Sequence, residues 1–441
     1  MEIRLPPYIN ETIDRLESHG YEAFAVGGCV RDMLLGLVPH DYDICTSASP
    51  DETIECFADM RVIPTGVKHG TVTLLSERPI EITAYREDGS YTDCRHPDSV
   101  KFLKDISGDL ARRDFTVNAM AYSEKRGLVD LYGGREDLQA GLIRCVGDPC
   151  KRFGEDALRI IRAMRFSATY GFEIEKETSR AAHELASTLN SVSVERIFSE
   201  FTKLICGKNA PSVLREYPDI VSVFIPEISG AIGFVQHTPH HYLDVWEHTL
   251  AVLDAARKDT VMCWAALLHD MAKPDCFTLD ANGRGHFYGH PAAGALKAEK
   301  ILERLHSDGK TKAAVCALIK EHDNYFKGGA PEMRVYISKM GRELADLVLE
   351  FRVYDSLAQS PEMRDEKLRE LERARSLYDL VKGECLFVSE LALNGDDLAA
   401  LGVPPGKQIG EALRYLLDLV ISGKCENSRE PLSQEIRNKY R

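Results

Sequence analysis

The sequence predicts an α+β chain: strands and helices mixed to about residue 135, then helices almost without interruption. Three observations carry this expectation. Short strand-like runs, "AFAV", "TVTLL" and "IEITAYR", gather in the first 135 residues. Beyond residue 136 apolar side chains recur at helical spacing, as in "GEDALRIIRAMRFSATYG", which opens on acids and stops at Gly171. Glycine pairs punctuate the early region, at Gly27–Gly28 and in "LVDLYGG".

Taken in order, "AFAVGG" reads as a strand entering a tight turn, "VRDMLLGL" as a helix and "HDYDIC" as a second strand. "REDGSYTDCRHPDSVKF" is polar and lacks apolar periodicity, so it reads as a mobile loop. "SVSVERIFSEFTKLICG" is a helix with Ser193 as candidate N-cap and a glycine after its last apolar residue. "DVWEHTLAVLDAAR", "VMCWAALLHDMAKP" and "PEMRDEKLRELERARSLYDLV" continue the helical pattern, and "LGVPPGKQIGEA" marks a last subdomain.

Composition excludes several classes. At 441 residues, 44% hydrophobic and 28% charged, the chain can bury more than one core. No apolar run approaches the roughly 18 residues of a membrane span, and the acidic, amphipathic start is unlike a signal peptide. Twelve cysteines without a C-x-x-C pair read as reduced thiols, which predicts a cytoplasmic protein. A net charge of −14 argues against wrapping nucleic acid nonspecifically. Basic residues nevertheless cluster between Arg78 and Arg113, with Arg95 and His96 among them, and again from Lys151 to Arg165. They read as a local polyanion groove or as mixed surface.

Chemistry first surfaces in "GGCVRDMLLGLVPHDYDIC". On a strand, Asp41 and Asp43 project to one face, where two carboxylates repel unless a cation sits between them. Alone, such a pair is equally a solvated strand edge. The glycines in front of it let backbone N–H groups approach a phosphate at a helix N-terminus. Together they predict a nucleotide–magnesium site.

Five ordered motifs then resemble the class II CCA-adding tRNA nucleotidyltransferases, which share their head with bacterial poly(A) polymerases. They are Gly27, Gly28, Arg31 and Asp32 with Asp41 and Asp43; "RRDFTVNAMAY" from Arg112; "DLYGGREDL" from Asp130; "EDALR" from Glu155; and "SVERIFSEFTK" from Ser193. The resemblance implies a nucleotidyltransferase head with a small mixed sheet (1–135), a helical neck (136–205), a linking body segment (206–240), and a helical body and tail. It implies stepwise addition of C, C and A from CTP and ATP to a tRNA 3′ end. Asp41 and Asp43 would hold Mg²⁺, with Glu81 as third carboxylate or as an exposed strand glutamate. Arg113 would reach phosphate, Asp114 a ribose hydroxyl, and Asn118 would brace the loop. Arg162 and Arg165 extend the nucleotide-binding set.

Base choice without a nucleic-acid template falls to "EDALR". Cytosine and adenine both present an amino donor beside a ring-nitrogen acceptor; uracil and guanine present the reverse. Asp156 and Arg159, at i and i+3 of one helix face, offer the matching acceptor and donor. A Glu155–Arg159 ion pair at i,i+4 is the bland alternative. "PTGVKHGTVTLL" and the mixed-charge tail are similar to the tRNA-directed branch; an A-adding or poly(A) enzyme is the runner-up. In the family it resembles, a shortened loop goes with enzymes that stop after CC, so the full-length loop from Arg86 to Val100 implies that this chain is not one of them.

A second constellation follows: "WEHTL", "AALLHDMAKP", "FYGHPAAG", "IKEHD" and "VYDSLAQ". Histidine and carboxylate suit a borderline divalent transition metal, and burying His269 with Asp270 is costly unless they pair or bind one. The order resembles an HD phosphohydrolase domain (241–360), ahead of a helical tail (361–441). Its ligands would be His248, His269, Asp270 and Asp355, with His290 and His322 available for further ions or phosphate and Lys273 near phosphate. A retained helical scaffold is the other reading of this region.

Overall fold

A computed structural model describes residues 4–89, 100–239 and 241–440. Arg95, His96 and most of the expected loop lie outside them. The chain divides into two units, Met1–Ser229 and Gly230–Arg441.

The first unit is built on a seven-stranded sheet. Its strands are β1 (Ala23–Val26), β2 (Asp43–Thr46), β3 (Arg61–Gly66), β4 (Thr71–Leu75), β5 (Pro79–Ala84), β6 (Met120–Ser123) and β7 (Gly127–Asp130), in spatial order β3-β4-β5-β2-β1-β6-β7. All neighbours are antiparallel except β2 and β5, so the sheet is mixed, as expected. The interior strand β1 is buried throughout, and Phe24, Val26, Cys45, Tyr85, Ala119 and Ala121 share one core cluster. Strand "HDYDIC" begins later than the sequence suggests: Asp43 is its first residue and Asp41 precedes it.

Helix α1 (Gly28–Leu34) leaves the corner after β1. The helical remainder of this unit includes α2 (Pro149–Glu155), α3 (Leu158–Tyr170) and α4 (Val194–Ile205). Gly171 ends α3 in the left-handed conformation, as its position predicts. Ser193 does occupy the N-cap of α4, although its side chain caps nothing. α4 packs on α3 and buries Ile197, Phe201, Leu204 and Ile205, each contributing roughly 1.5–3 kcal/mol.

The second unit is helical. Apolar α6 (Thr260–Leu268) lies between α5 (Val245–Ala255) and α8 (Gly309–Glu321), while α7 (His290–Arg304) packs on α8. α9 (Arg342–Leu357) closes the group against α5 and α8. Asp244, Asp259 and Asp308 cap α5, α6 and α8 through their side chains. Gly294 lets α7 approach closely, because a Cβ there would stand 3.0 Å from the His269 carbonyl oxygen. Among the described residues no helix is long and apolar enough to cross a membrane.

Candidate functional site

Strand register assembles the first site. Val26 pairs with Asp43 across β1 and β2, and Asp43 pairs with Glu81 across the parallel β2–β5 junction. The glycine corner and the carboxylates therefore share one end of the sheet. Gly27 needs its glycine twice: its φ is +79°, and a Cβ would stand 2.7 Å from Arg113 Nη1. Asp43 is reached by solvent, yet protein around its carboxyl strips water from it, and Asp41 and Glu81 face it. Its pKa is raised to about 6, with Arg113 opposing the rise. Three mutually repelling oxygen ligands fit a hard divalent cation.

The cations behind this corner are held by fixed partners. Buried Asp109 accepts from Arg112 at 2.7 Å and from Arg113 at 3.1 Å. Buried Arg31 donates to Asp32 at 2.8 Å and to Asn118 at 2.6 Å, and its guanidinium lies over the rings of Phe166 and Tyr170. Asn118 in turn donates to Asp114 at 3.0 Å. Asp114 accepts four bonds, from Phe115 N–H, Asn118 and two nitrogens of Arg162. A carboxylate offers about four lone-pair sites, so in this arrangement it has none left for a ribose hydroxyl. Burial pushes the Asp114 carboxyl up, but Arg162 and Asn118 hold it well below the usual range. Arg165 meets Glu200 at 2.7 Å and stacks over Phe166.

"EDALR" is not one helix face. α2 ends at Glu155, Asp156 is extended (φ −149°, ψ 102°), and α3 begins at Leu158. Asp156 caps Leu158 N–H and pairs with Arg196 of α4 at 2.7 Å. Arg159 pairs with Glu155 at 2.6 Å and donates to the carbonyls of Arg152 and Arg112. The i,i+4 ion pair is thus present. Asp156 and Arg159 are positioned by separate partners, not by a shared helix.

Three residues of this site escaped the sequence reading. Asp109 could have been found from its i,i+3 and i,i+4 spacing to Arg112 and Arg113. Arg196 and Glu200 lie inside the "SVERIFSEFTK" motif, but nothing local gives their roles, since their partners Asp156 and Arg165 are distant in sequence.

The second unit converges six expected residues. His248 lies on α5 and Asp355 on α9; His269 and His322 terminate α6 and α8, and His290 opens α7. Among the described residues, two groups bring their ligand atoms within 4.8 Å of one another: His248–His269–Asp270 and Asp270–His290–His322. Asp270 and His269 are buried, and no hydrogen bond reaches Asp270 Oδ1 or His269 Nε2, whereas Asp270 Oδ2 has the Lys273 ammonium beside it. Burial pushes the Asp270 carboxyl up, but His269 and Lys273 hold it far below the usual range. Burial also drives His322 down to about 3. Lys273 lies 2.6 Å from Asp270 Oδ2 and donates to Gln236 at 2.8 Å, a partner not anticipated from sequence. A cavity of about 630 Å³ opens onto Asp270, His290, His322 and Asp355, and this donor set fits a borderline transition metal.

The mixed sheet, glycine corner and helical remainder are those of a nucleotidyltransferase. Residues 23–144 match the Poly A polymerase head domain, residues 171–229 the Probable RNA and SrmB-binding site of polymerase A, and residues 292–436 tRNA nucleotidyltransferase domain 2. The chain is 34% identical to the CCA-adding enzyme of Limosilactobacillus fermentum over 424 residues, covering 95% of this chain and 94% of that protein. Against the CCA-adding enzyme of Streptococcus mutans it is 32% identical, covering 96% and 95%. The crystal structure of the Bacillus stearothermophilus CCA-adding enzyme in complex with CTP matches with a TM-score of 0.71 at 29% identity, covering 99% and 98%. The chain belongs to the CCA-adding enzyme family.

Proposed function

We propose that this chain adds C, C and A, one nucleotide at a time, from CTP and ATP to the 3′ end of tRNA. The observation that carries the reading is the register Val26–Asp43–Glu81, which sets two carboxylates beside a glycine corner, with Asp41 just ahead of the strand as a third. Asp41, Asp43 and Glu81 would hold Mg²⁺. A divalent cation there supplies charge stabilisation to the attacking and leaving oxygens of an in-line displacement. The residues around it bind and orient. Gly28 opens α1 and would turn its backbone N–H to the triphosphate, while the Gly27 N–H is held by the Met120 carbonyl at 3.0 Å; Arg113 would offer a guanidinium. Arg31, Asn118, Asp114 and Arg162 form one bonded chain that fixes the wall beside the nucleotide. Asp156 and Arg159 present an acceptor and a donor to the base edge, each oriented by an ion-pair partner.

The test offers tRNAs ending before CCA, after C and after CC, with each NTP separately. Ordered incorporation of C, C and A is expected. Incorporation of A alone on all three would overturn this reading in favour of an A-adding enzyme. Asp41→Ala and Asp43→Ala should each reduce addition to below about a tenth of wild type while tRNA binding persists.

A second reading concerns the second unit. Its buried, bond-starved Asp270 and His269, in the order His248, His269–Asp270, His290, His322, Asp355, support an HD-type metal phosphohydrolase site acting on phosphate esters at RNA ends. His269→Ala or Asp270→Ala should eliminate phosphatase or cyclic phosphodiesterase activity and leave CCA addition near normal. Complete absence of either activity with Mn²⁺, Ni²⁺, Co²⁺ and Mg²⁺ would favour a scaffold instead.

A further inference from the structure

We propose that the hairpin ahead of α7 is a nucleobase platform: His286 and Tyr288 hold, by stacking, the terminal base of an RNA whose 3′-end phosphate ester enters the cavity of the second unit. The inference rests on the phosphate-ester reading of that cavity and names what its rim recognises.

The stretch "TLDANGRGHFYGH" builds the platform. Thr278–Leu279 pairs with Gly285–His286 around a tight turn. Asp280 fastens that turn, accepting from the backbone N–H of Asn282 at 2.8 Å and of Arg284 at 2.9 Å. Its other oxygen stands 3.2 Å from His286 Nε2 and orients the ring. Gly285 donates its N–H to the His237 carbonyl at 2.8 Å, and a Cβ there would overlap the Gln236 carbonyl, so the hairpin sits tight on its neighbour. Phe287 packs back on Phe277, with ring centroids 5.6 Å apart, and Phe277 packs on Phe234 at 5.2 Å. The rings on either side of Phe287 meet each other instead. His286 and Tyr288 stack with centroids 5.2 Å apart and planes 7° from parallel.

A lone surface tyrosine needs no explanation; this one has a setting. Tyr288 is 78% exposed, and it and His286 line the cavity that opens onto Asp270 and His290. At about 630 Å³ that cavity far exceeds a phosphate group and lies in the range that encloses a nucleotide-sized ligand. Lys273, Arg284, Lys327 and Lys367 line it, against Asp323 and Glu370 outside the histidine–aspartate group, so an anion is favoured inside. Tyr288 is two residues ahead of His290, which keeps their Cα atoms within about 7 Å. One ribose spans a comparable gap between a base and its 3′-phosphate. A stacked ring pair at that spacing from a cationic cavity fits a nucleotide, whereas a small phosphate ester would leave the rings empty. Every base has a π-face, so the platform selects for a base and not among bases.

The test uses the full chain and 4-thiouridine 3′-thiophosphate, whose thiophosphate resists hydrolysis and whose base crosslinks under near-ultraviolet light to what it stacks on. Crosslinks to His286 and Tyr288, mapped by mass spectrometry, are expected, and half-saturation of the crosslink on this hairpin gives the affinity. Because Tyr288 is exposed, its variants report on binding and not on folding. Tyr288→Ala should weaken binding here by about 5- to 150-fold, the usual worth of one stacked base, and Tyr288→Phe should restore it. 1-Deoxyribose 3-thiophosphate, which has no base, should bind the parent and Tyr288→Ala alike. In turnover of nucleoside 2′,3′-cyclic phosphates the loss should fall on KM and not on kcat. Tyr288-dependent binding without any hydrolysis would uphold the platform and overturn the phosphohydrolase reading alone. Crosslinks confined to the first unit, or equal nucleotide affinity in the parent and Tyr288→Ala, would overturn the platform.

Discussion

The two sites treat buried charge in opposite ways. In the first unit nearly every charged group has a protein partner already: Asp109 clamps Arg112 and Arg113, Asp114 holds Arg162, Glu155 holds Arg159 and Arg196 holds Asp156. What stays uncompensated is the carboxylate group at the sheet end. In the second unit buried Asp270 has Lys273 at 2.6 Å on Oδ2 and four histidine nitrogens at 3.2–3.9 Å, yet no hydrogen bond reaches its Oδ1, and an unmet buried acceptor costs about 1–3 kcal/mol. The first site is a rigid frame that keeps its shape while nucleotides come and go. On the proposed metal-site reading, the second is a frame completed by what it binds.

Four measurements sharpen or break this contrast, in falling order of effect. Asp114→Ala leaves Arg162 with only a 3.9 Å contact to Glu200 and its stacking on Phe166. Losing one partner of a buried pair costs about 3–5 kcal/mol; Arg162 is partly exposed, so the lower end is expected in denaturant unfolding of the first unit. A loss under about 0.5 kcal/mol would mean the frame is not held by its ion pairs.

Chelation should act on the other unit. Saturating a site at a hundred times Kd stabilises by about 2.7 kcal/mol, so stripping transition metal should lower the melting of the second unit. The change should vanish in Asp270→Ala. Equal chelator sensitivity in that variant would break the contrast.

Base choice comes third. On the proposed reading Arg159→Ala and Asp156→Ala each remove one contact to the base edge, and a good pair is worth roughly 1–3 kcal/mol of discrimination. Selectivity of C over U and A over G should fall by about one to two powers of ten, measured as incorporation of all four NTPs onto one tRNA. Unchanged selectivity in both variants returns Arg159 to its ion pair with Glu155 and nothing more.

The smallest effect is on pH. Asp43 titrates near 6 in the folded chain and near 3.9 when unfolded. Between those values the folded chain holds a proton that the unfolded chain has released. Metal-free stability therefore declines as pH rises from about 4 to 6, then levels. Solvent access to Asp43 limits the effect to roughly 2 °C in Tm. Magnesium should flatten the slope and bind more tightly as pH rises through 6, and Asp43→Asn should remove both dependences.

Legibility in the sequence followed the distance between interacting residues. Asp41 and Asp43 announce themselves because their relation is local, and the end of α3 at Gly171 is a local signal too. The role of Glu81 depends on which strand β5 joins, and no short window contains that pairing. "EDALR" reads as continuous helix because Glu155, Ala157, Leu158 and Arg159 are good helix formers; Asp156, a poor one, breaks it and is held by Arg196 from α4, a partner no short window contains. The order of His248, His269, Asp270, His290, His322 and Asp355 was legible. How they group around Asp270 was not, because it depends on how α5 to α9 pack.

The parallel junction of β2 and β5 also governs where the chain can change length. Asp43 and Glu81 meet only because the β4–β5 hairpin, which pairs Leu75 with Pro79, counts its residues correctly into β5. One residue inserted within β5 before Glu81 would send that side chain to the opposite face. The same insertion in the turn after Leu75 could bulge outward and leave the pairing intact. Gene lineages carrying this head should therefore accumulate insertions at residues 76–78 and almost none between Pro79 and Glu81.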